Sequence, residues 1–154
     1  MNGHPASIPP DGRHRYAVRV YYEDTDAGGV VYHATYLRFA ERARTEALRD
    51  LGIAHAELLQ RFTLMFVVRR VEVDYLRPAR LDDWLTILTK PMEVGGASVL
   101  LRQDVQGPDG SCAVLTVRLA CVTPGEARPR RLPPRWRSVL VAMQLAAHGA
   151  EQKG

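Results

Sequence analysis

Residues 21–52 read YYEDTDAGGVVYHATYLRFAERARTEALRDLG and contain the pattern of a long helix. Over residues 34–51, apolar side chains recur at the three- and four-residue spacing of an amphipathic helix. Because the apolar face is rich in alanine, this helix can lie close to a sheet, and Gly52 supplies the left-handed residue that ends it. The predicted buried face consists of Tyr36, Phe39, Ala40, Ala43, Ala47, Leu48 and Leu51.

Strand patterns surround this helix on both sides in the sequence. Short turns separate the later strands, so we expect them to pair antiparallel. One long helix against one antiparallel sheet is an α+β architecture. The predicted strands occupy residues 16–23, 71–75, 84–90, 98–106 and 111–123, and a final helix occupies residues 135–148.

The strand predicted at residues 84–90 is apolar on both faces. A single helix can cover only one of these faces. A second subunit is the simplest cover for the other, so we expect a homodimer or a homotetramer.

The length of 154 residues fits one domain. We expect that domain to span residues 16–148, after a flexible lead-in of residues 1–15 and before a loose tail. No apolar stretch approaches the roughly 18–20 residues of a transmembrane segment. No charged-then-apolar leader opens the sequence, and two unpaired cysteines, Cys112 and Cys121, fit a reducing compartment. We therefore expect a cytoplasmic protein.

The net charge of +4 comes largely from one basic cluster near the C-terminus. Such a cluster could attract an anion, but no interleaved basic and aromatic stripe accompanies it. We therefore predict no nucleic-acid partner and treat the cluster as a solvated basic flank. It comprises Arg128, Arg130, Arg131, Arg135 and Arg137.

The joint between the first strand and the long helix combines acids, glycines and a histidine. An EF-hand calcium loop would begin at Asp24, but its twelfth position is Thr35 instead of the required glutamate. A phosphate loop would need Lys-Ser or Lys-Thr after the glycines, and zinc would need three or four convergent ligands. We therefore predict neither a metal nor a cofactor here.

General acid–base chemistry fits the joint better. A carboxylate at Asp26 would lie beside a helix N-terminus, whose unpaired N–H groups can stabilise a developing oxyanion. Gly28 and Gly29 would let a ligand approach the backbone closely, and His33 lies seven residues from Asp26. The alternative from spacing alone is structural, because acids often cap helices and Gly-Gly often forms a turn.

Two segments resemble the hotdog-fold acyl-CoA thioesterases of the 4-hydroxybenzoyl-CoA thioesterase type. The first is residues 21–52, and the second is VDYLRPARLDDWLTI, residues 73–87. The likeness is closest to the bacterial branch associated with the Tol-Pal system, and it extends loosely over residues 16–123. Asparagine is common before the tyrosine of the first block in that family, whereas Thr35 stands here.

The resemblance implies a fold, a reaction and a site. It implies an antiparallel five-stranded sheet wrapped around a long central helix, with two subunits joined sheet edge to sheet edge. It implies hydrolysis of acyl-coenzyme A, with Asp26 as general base or nucleophile. By the same resemblance, His33 is the second catalytic residue and oxyanion donor, and Tyr22 lines the site.

Coenzyme A carries phosphates, so basic side chains should flank the pocket. Arg69, Arg70 and Arg77 are the candidates, beside Gly28 and Gly29 for substrate approach. The first alternative function is a module that binds acyl-CoA or acyl-carrier protein without hydrolysis. The second is hydration of an enoyl thioester, whose expected histidine motif is not found in this sequence.

Overall fold

The computed structural model describes residues 7–126 and 128–153, which form five strands and three α-helices. The strands form one antiparallel sheet in the order β1-β3-β4-β5-β2. The α+β architecture with a five-stranded sheet and a long helix is therefore confirmed. The elements are β1 (His14–Arg19), α1 (Thr35–Asp50), α2 (His55–Phe62), β2 (Met65–Tyr75), β3 (Trp84–Val94), β4 (Ser98–Gly107), β5 (Gly110–Val122) and α3 (Pro134–Lys153).

Helix α1 packs on the sheet through the face that its sequence predicts. Its alanines Ala40 and Ala43 are fully buried, so the backbone of α1 lies close to β1 and β3. The helix ends in a Schellman motif, in which the N–H of Ile53 donates to Leu48 O at 2.7 Å. Gly52 has a φ of +83° there, which confirms its predicted role as the stop.

A buried glutamine joins α1 to the sheet. Gln103 on β4 is 0% exposed, and its amide Nε2 donates to Ala40 O at 2.8 Å and to the Thr89 hydroxyl at 3.0 Å. One acceptor is on α1 and the other is on β3. The Gln103 amide therefore fixes the position of α1 along the sheet.

Strand β2 is an edge of the sheet, because its pairing partner is β5. A bulge between Val68 and Arg70 inserts one extra residue and shifts the alternation of inward- and outward-facing side chains. As a result, Val68 and Val71, three residues apart, both lie on the sheet face that α1 packs against. Both valines stay exposed, at 47% and 36%. An apolar inner face thus reaches the edge of the sheet without cover.

Helix α3 covers the part of β3 that β1 leaves open. Strand β1 pairs with β3 only as far as Thr89. Beyond it, the Gln144 amide donates to Met92 O at 2.9 Å, and the Arg137 guanidinium donates to Gly95 O at 3.1 Å. Side chains of α3 therefore satisfy carbonyls that a neighbouring strand would otherwise bind.

The N-terminal boundary differs from the expected one. Strand β1 begins at His14, inside the predicted lead-in of residues 1–15, and ends at Arg19 rather than at residue 23. The Ser7 N–H donates to Asp50 O at 2.9 Å, and His14 Nε2 lies 2.7 Å from Asp50 Oδ2. The end of α1 thus fixes residues 7–15, whereas residues 1–6 lie outside the described part.

Further predictions about the elements are corrected. The segment expected only to link the long helix to the next strand contains α2, and β2 begins at Met65, six residues before its predicted start. The final helix, predicted over residues 135–148, spans Pro134–Lys153. Glu151 pairs there with Arg13 and Lys90, which anchors the last turn.

The contact between the N-terminal segment and α3 generates a stability prediction. Gly12 has a φ of +68°, and a Cβ at this position would lie 2.2 Å from the backbone nitrogen of Ala147. Gly125 has a φ of +85° and no atom within 4 Å of the corresponding Cβ. We expect Gly12→Ala to lower the free energy of unfolding by about 1–3 kcal/mol more than Gly125→Ala, the usual cost of overpacking. Thermal or urea unfolding measures the difference, and equal losses would contradict the contact.

Candidate active site

The joint between β1 and α1 folds into a compact loop. A 3-10 turn at Tyr22–Asp24 bends the chain, and the Asp24 carboxylate accepts the Tyr21 N–H at 2.8 Å. The Asp26 N–H then donates to Val30 O at 2.9 Å, and the Gly29 N–H donates to Asp26 O at 3.0 Å. These bonds keep the loop in one shape and leave the side chain of Asp26 exposed.

One backbone group orients the Asp26 carboxylate. Its Oδ1 accepts the Gly28 N–H at 2.8 Å, which leaves Oδ2 without a partner in the described part of the chain. A Cβ on Gly28 would lie 3.3 Å from Oδ1, so a larger residue here would press on the carboxylate. Gly29 has a φ of +77° with no atom near its missing Cβ, so the turn itself favours glycine. The two glycines thus shape the carboxylate's surroundings and keep them open.

The N-terminus of α1 opens beside this loop. Ala34 precedes the helix and provides no side-chain cap. The N–H groups of Tyr32 and Thr35 have carbonyl partners at 3.0 and 2.8 Å, whereas that of His33 has no acceptor among the described residues. The His33 N–H is therefore available at the positive end of the helix dipole.

Two tyrosines that the sequence did not predict as site residues hold this end of the helix in place. The hydroxyl of Tyr75, at the end of β2, donates to His33 O at 2.8 Å, and its ring meets the His33 ring edge-on at 6.4 Å. The buried Tyr36 hydroxyl accepts the Ala79 N–H at 3.2 Å. Ala79 O in turn accepts the Val31 N–H at 2.8 Å. The β2–β3 connection thus fixes both ends of the segment that carries His33.

Burial affects the chemistry of one of these tyrosines. It raises the pKa of the Tyr36 hydroxyl, so this group stays a neutral phenol that can accept the Ala79 N–H. A sequence signal for Tyr75 exists, since it shares the period-two alternation of Val71 and Val73. Alternation could place it on the inner face, but it could not give its hydroxyl a partner 42 residues away.

The other predicted site residues lie further from the loop or in other contacts. Tyr22 is 83% exposed on the 3-10 turn, and its carbonyl, not its ring, binds Thr25. Arg77 donates to Asp109 O at 2.8 Å, in the turn between β4 and β5. Arg70 pairs with Glu72 on the sheet face opposite α1, and Arg69 occupies the bulge of β2. Within one chain, Asp26, Gly28 and Gly29 share one hydrogen-bonded loop, and His33 follows it at the start of α1. The arginines lie in other contacts, so a joint role of Asp26 and His33 stays a prediction.

A cavity of about 300 Å³ lies between α1, α2 and the exposed edge strand. Burial lowers the pKa of Arg44 there, against an opposing effect of Glu41. It also lowers the pKa of His55, with Arg49 and Arg44 acting in the same direction. At 1.5 Å per residue, the cavity lies roughly 12–22 Å along α1 from His33. Its lining comprises Glu41, Arg44, Thr45, Leu48, His55, Phe66, Val68 and Leu119.

Comparison with known proteins places the chain in a family. The family model described as the Thioesterase superfamily matches residues 28–114, more than half of the chain. The chain belongs to the thioesterase superfamily. The proposed resemblance to hotdog-fold thioesterases is therefore confirmed, and so is the expectation that the chain is a thioester hydrolase, while the link to the Tol-Pal system stays a prediction.

Individual relatives support the same family. The "Acyl-CoA thioesterase YbgC" of Haemophilus influenzae is 47% identical over 123 residues, which cover 80% of this chain and 90% of that protein. The "Acyl-CoA thioester hydrolase YbgC" of Escherichia coli O6:H1 is 46% identical over 120 residues, 77% of this chain and 89% of that protein. A probable thioesterase from Bartonella henselae superposes with a TM-score of 0.74 at 40% identity, over 79% of this chain and 99% of that one.

No group of three or more His, Cys, Asp or Glu side chains is arranged to hold a metal ion in residues 7–126 and 128–153. No helix in these ranges has both the length and the apolar character needed to cross a bilayer.

The hydrogen bond between Tyr36 and Ala79 generates a second stability prediction. Tyr36→Phe leaves the buried Ala79 N–H without an acceptor, so we expect a loss of about 1–3 kcal/mol in the free energy of unfolding. Tyr16→Phe is the control, because the Tyr16 hydroxyl makes no hydrogen bond within the described part of the chain. Chemical denaturation of both variants measures the difference. Similar stabilities for the two would show that the bond contributes nothing.

Proposed function

We propose that this thioesterase hydrolyses acyl-CoA thioesters to a free acid and coenzyme A. The observation that carries the proposal is the pairing of an oriented, exposed Asp26 carboxylate with the open N-terminus of α1 at His33. The names of the relatives from Haemophilus influenzae and Escherichia coli support acyl-CoA as the substrate class.

The substrate carbonyl oxygen is expected to lie against the His33 N–H. Partial negative charge that develops on this oxygen is stabilised by the N–H and by the positive end of the helix dipole. The Tyr75 hydroxyl supports this arrangement, because it holds the carbonyl of the same residue. The His33 ring can polarise or orient the thioester from the same position.

Asp26 supplies the second function, and two routes are open to it. As a general base, it takes a proton from water while the hydroxide attacks the acyl carbon, and the carbon–sulfur bond then breaks to release the thiolate. As a nucleophile, its oxygen attacks the acyl carbon and expels the thiolate, and water hydrolyses the resulting anhydride. Each route consumes one water. The proton that this water loses, to Asp26 in the first route or on cleavage of the anhydride in the second, ends on the coenzyme A sulfur or in the solvent. A thiolate leaves readily enough that neither route needs a strong acid.

The free β2 edge suggests how the site is completed. Antiparallel pairing of this strand with the same strand of a second copy would place Met65 opposite Tyr75 of that copy. The cavity beside Phe66 and Val68 would then lie next to the second copy's helix N-terminus. We therefore propose a homodimer, or a homotetramer built from it, in which the acyl group enters the cavity of one subunit while the other performs the chemistry.

The remaining expectations concern the coenzyme and the cellular setting. Gly28 and Gly29 leave room for the pantetheine arm, and Arg69, Arg70 and Arg77 remain the candidates for its phosphates. In a dimer these arginines also come near the second subunit, since they lie on or just after the edge strand. We further expect a cytoplasmic location. A non-catalytic module for acyl-CoA or acyl-carrier protein is the alternative.

The proposed catalytic role of Asp26 predicts a large loss of turnover when its carboxylate is replaced by an amide. We expect Asp26→Asn to lower thioester turnover by at least ~100-fold, the low end for a general base. Asparagine retains an Oδ1 that can accept the Gly28 N–H, so the loop should keep its shape. Release of free thiol from a panel of short, long and aromatic acyl-CoA esters measures the rate.

Asp24→Asn is the matched control in the same loop. Its carboxylate also accepts a backbone N–H, from Tyr21, but it is not assigned a chemical role. An equal loss in both variants would mean that loop shape, not the Asp26 carboxylate, limits the rate. No thiol release by the native protein from any ester would favour the binding module.

The edge strand predicts the oligomeric state. We expect light scattering to give at least twice the chain mass of 17.2 kDa for the native protein. Val71→Asp places a charge in the proposed interface and should yield a monomer with little activity, because unpaired buried charge is costly. Leu145→Asp, at a 65% exposed position on α3, is the control and should leave the mass unchanged. A Val71→Asp protein of native mass would argue against association through β2.

A further inference from the structure

A second cavity, of about 260 Å³, lies on the outer face of the sheet, away from α1. The six residues of β1 separate Arg13 from the loop that contains Asp26, a distance of roughly 20 Å at 3.3 Å per residue. This outer cavity is therefore separate from the Asp26 loop and from the cavity between α1, α2 and β2. Its lining comprises Arg13, Leu88, Lys90, Arg102, Asp104 and Glu151.

Two cations face each other across the strands that form its floor. Lys90 on β3 is directly opposite Arg102 on β4. Like charges at directly opposed positions of a sheet repel each other. Lys90 is also poorly hydrated, with 13% of its side chain exposed, and burial together with Arg13 and Arg102 lowers its pKa. The cavity thus places the weakly hydrated Lys90 beside two more exposed arginines, Arg13 and Arg102.

The carboxylates nearby do not balance this charge. Glu151, in the last turn of α3, pairs with both Lys90 and Arg13. Asp104 accepts a hydrogen bond from the Ser111 hydroxyl at 2.6 Å. Arg102 makes no ion pair or hydrogen bond with any residue in the described ranges. Two carboxylates therefore face three cations in the lining, and Glu151 is the one that pairs with two of them.

The same sheet face contains an instructive contrast. Arg70 on β2 is directly opposite Arg118 on β5, so the register again pairs two cations. Here each has its own carboxylate, since Arg70 pairs with Glu72 and Arg118 pairs with Glu93. All four side chains are at least 40% exposed. Each of these two arginines therefore has its own carboxylate partner, which is not the case for Lys90 and Arg102.

We propose that the outer cavity binds a phosphate group through Lys90, Arg102 and Arg13. Arginine presents a planar fork of donors and lysine a compact charge, and both groups match phosphate oxygens. The volume is below the roughly 300–1,000 Å³ typical of pockets for drug-sized ligands. The cavity is large enough for a phosphate group, and a larger phosphorylated molecule would extend out of it. Without such a ligand, the Glu151 carboxylate takes the place of the anion.

Titration of the full chain with inorganic phosphate, in chloride buffer at constant ionic strength, tests the site. Arg102→Gln removes an exposed donor of the cavity and should weaken phosphate binding by ~10-fold or more, the effect of a lost charge-assisted hydrogen bond. Arg118→Gln removes one positive charge from the same sheet face and should leave binding unchanged. Glu151→Gln should tighten binding, because it removes the competing carboxylate.

A parallel titration with coenzyme A identifies the source of the phosphate. If Arg102→Gln weakens only inorganic phosphate, the site takes a free phosphorylated compound. If it weakens both ligands equally, the site takes a phosphate of the coenzyme. Equal effects of Arg102→Gln and Arg118→Gln, or no saturable binding of phosphate to the native chain, would overturn the proposal. Thermal unfolding of each variant checks that the fold is intact.

Discussion

The close packing of α1 on the sheet is the constraint on which the rest of the molecule depends. Ala40 and Ala43 have no side chain beyond Cβ, so the helix backbone can approach the strands and bury both residues completely. Gln103 then bonds to the Ala40 carbonyl and sets the position of the helix along its axis. A larger residue at either alanine would push α1 away from the strands and break that bond. The position of the helix N-terminus, and with it of His33, follows from this contact.

The helix N-terminus is held by side chains outside the loop that contains it. Tyr75 and Tyr36 come from β2 and from α1 itself, and they fix the backbone at His33 and Ala79. The loop can therefore keep its shape while an exposed carboxylate and an N–H without a protein acceptor stay open to solvent or to a ligand. Rigid elements support a small reactive segment, and this arrangement allows the groups to be positioned without filling the space where a substrate would lie.

Much of the fold could be predicted, because it follows from repeating patterns. The period of α1, its alanine face, the stop at Gly52 and the antiparallel strands all appear in the sequence. The errors arose where a single tertiary contact decides the outcome. Strand β1 begins before its predicted start, where His14 and Ser7 contact Asp50 at the end of α1. Helix α3 continues beyond its predicted end, where Glu151 pairs with Lys90. Helix α2 has eight residues and one buried leucine, too few for its period to stand out.

The candidate site follows from local sequence only in part. Asp26, Gly28, Gly29 and His33 are close in sequence, and the loop before α1 contains or adjoins all four. Tyr75 and Ala79 reach the site through the packing of β2 and its following connection, which no local pattern encodes. The arginines were chosen for charge alone, and charge does not specify the face of a sheet.

The cover that α3 gives to β3 also limits how copies of this chain can polymerise. An uncovered strand at each end of a sheet would let molecules add one after another into an open filament. Here one end is the six-residue β1 with Gln144 and Arg137 bound along the adjoining stretch of β3, while the other is the eleven-residue β2. If two copies pair through β2 as proposed, that contact occupies the β2 edge of both, and growth would stop at two chains.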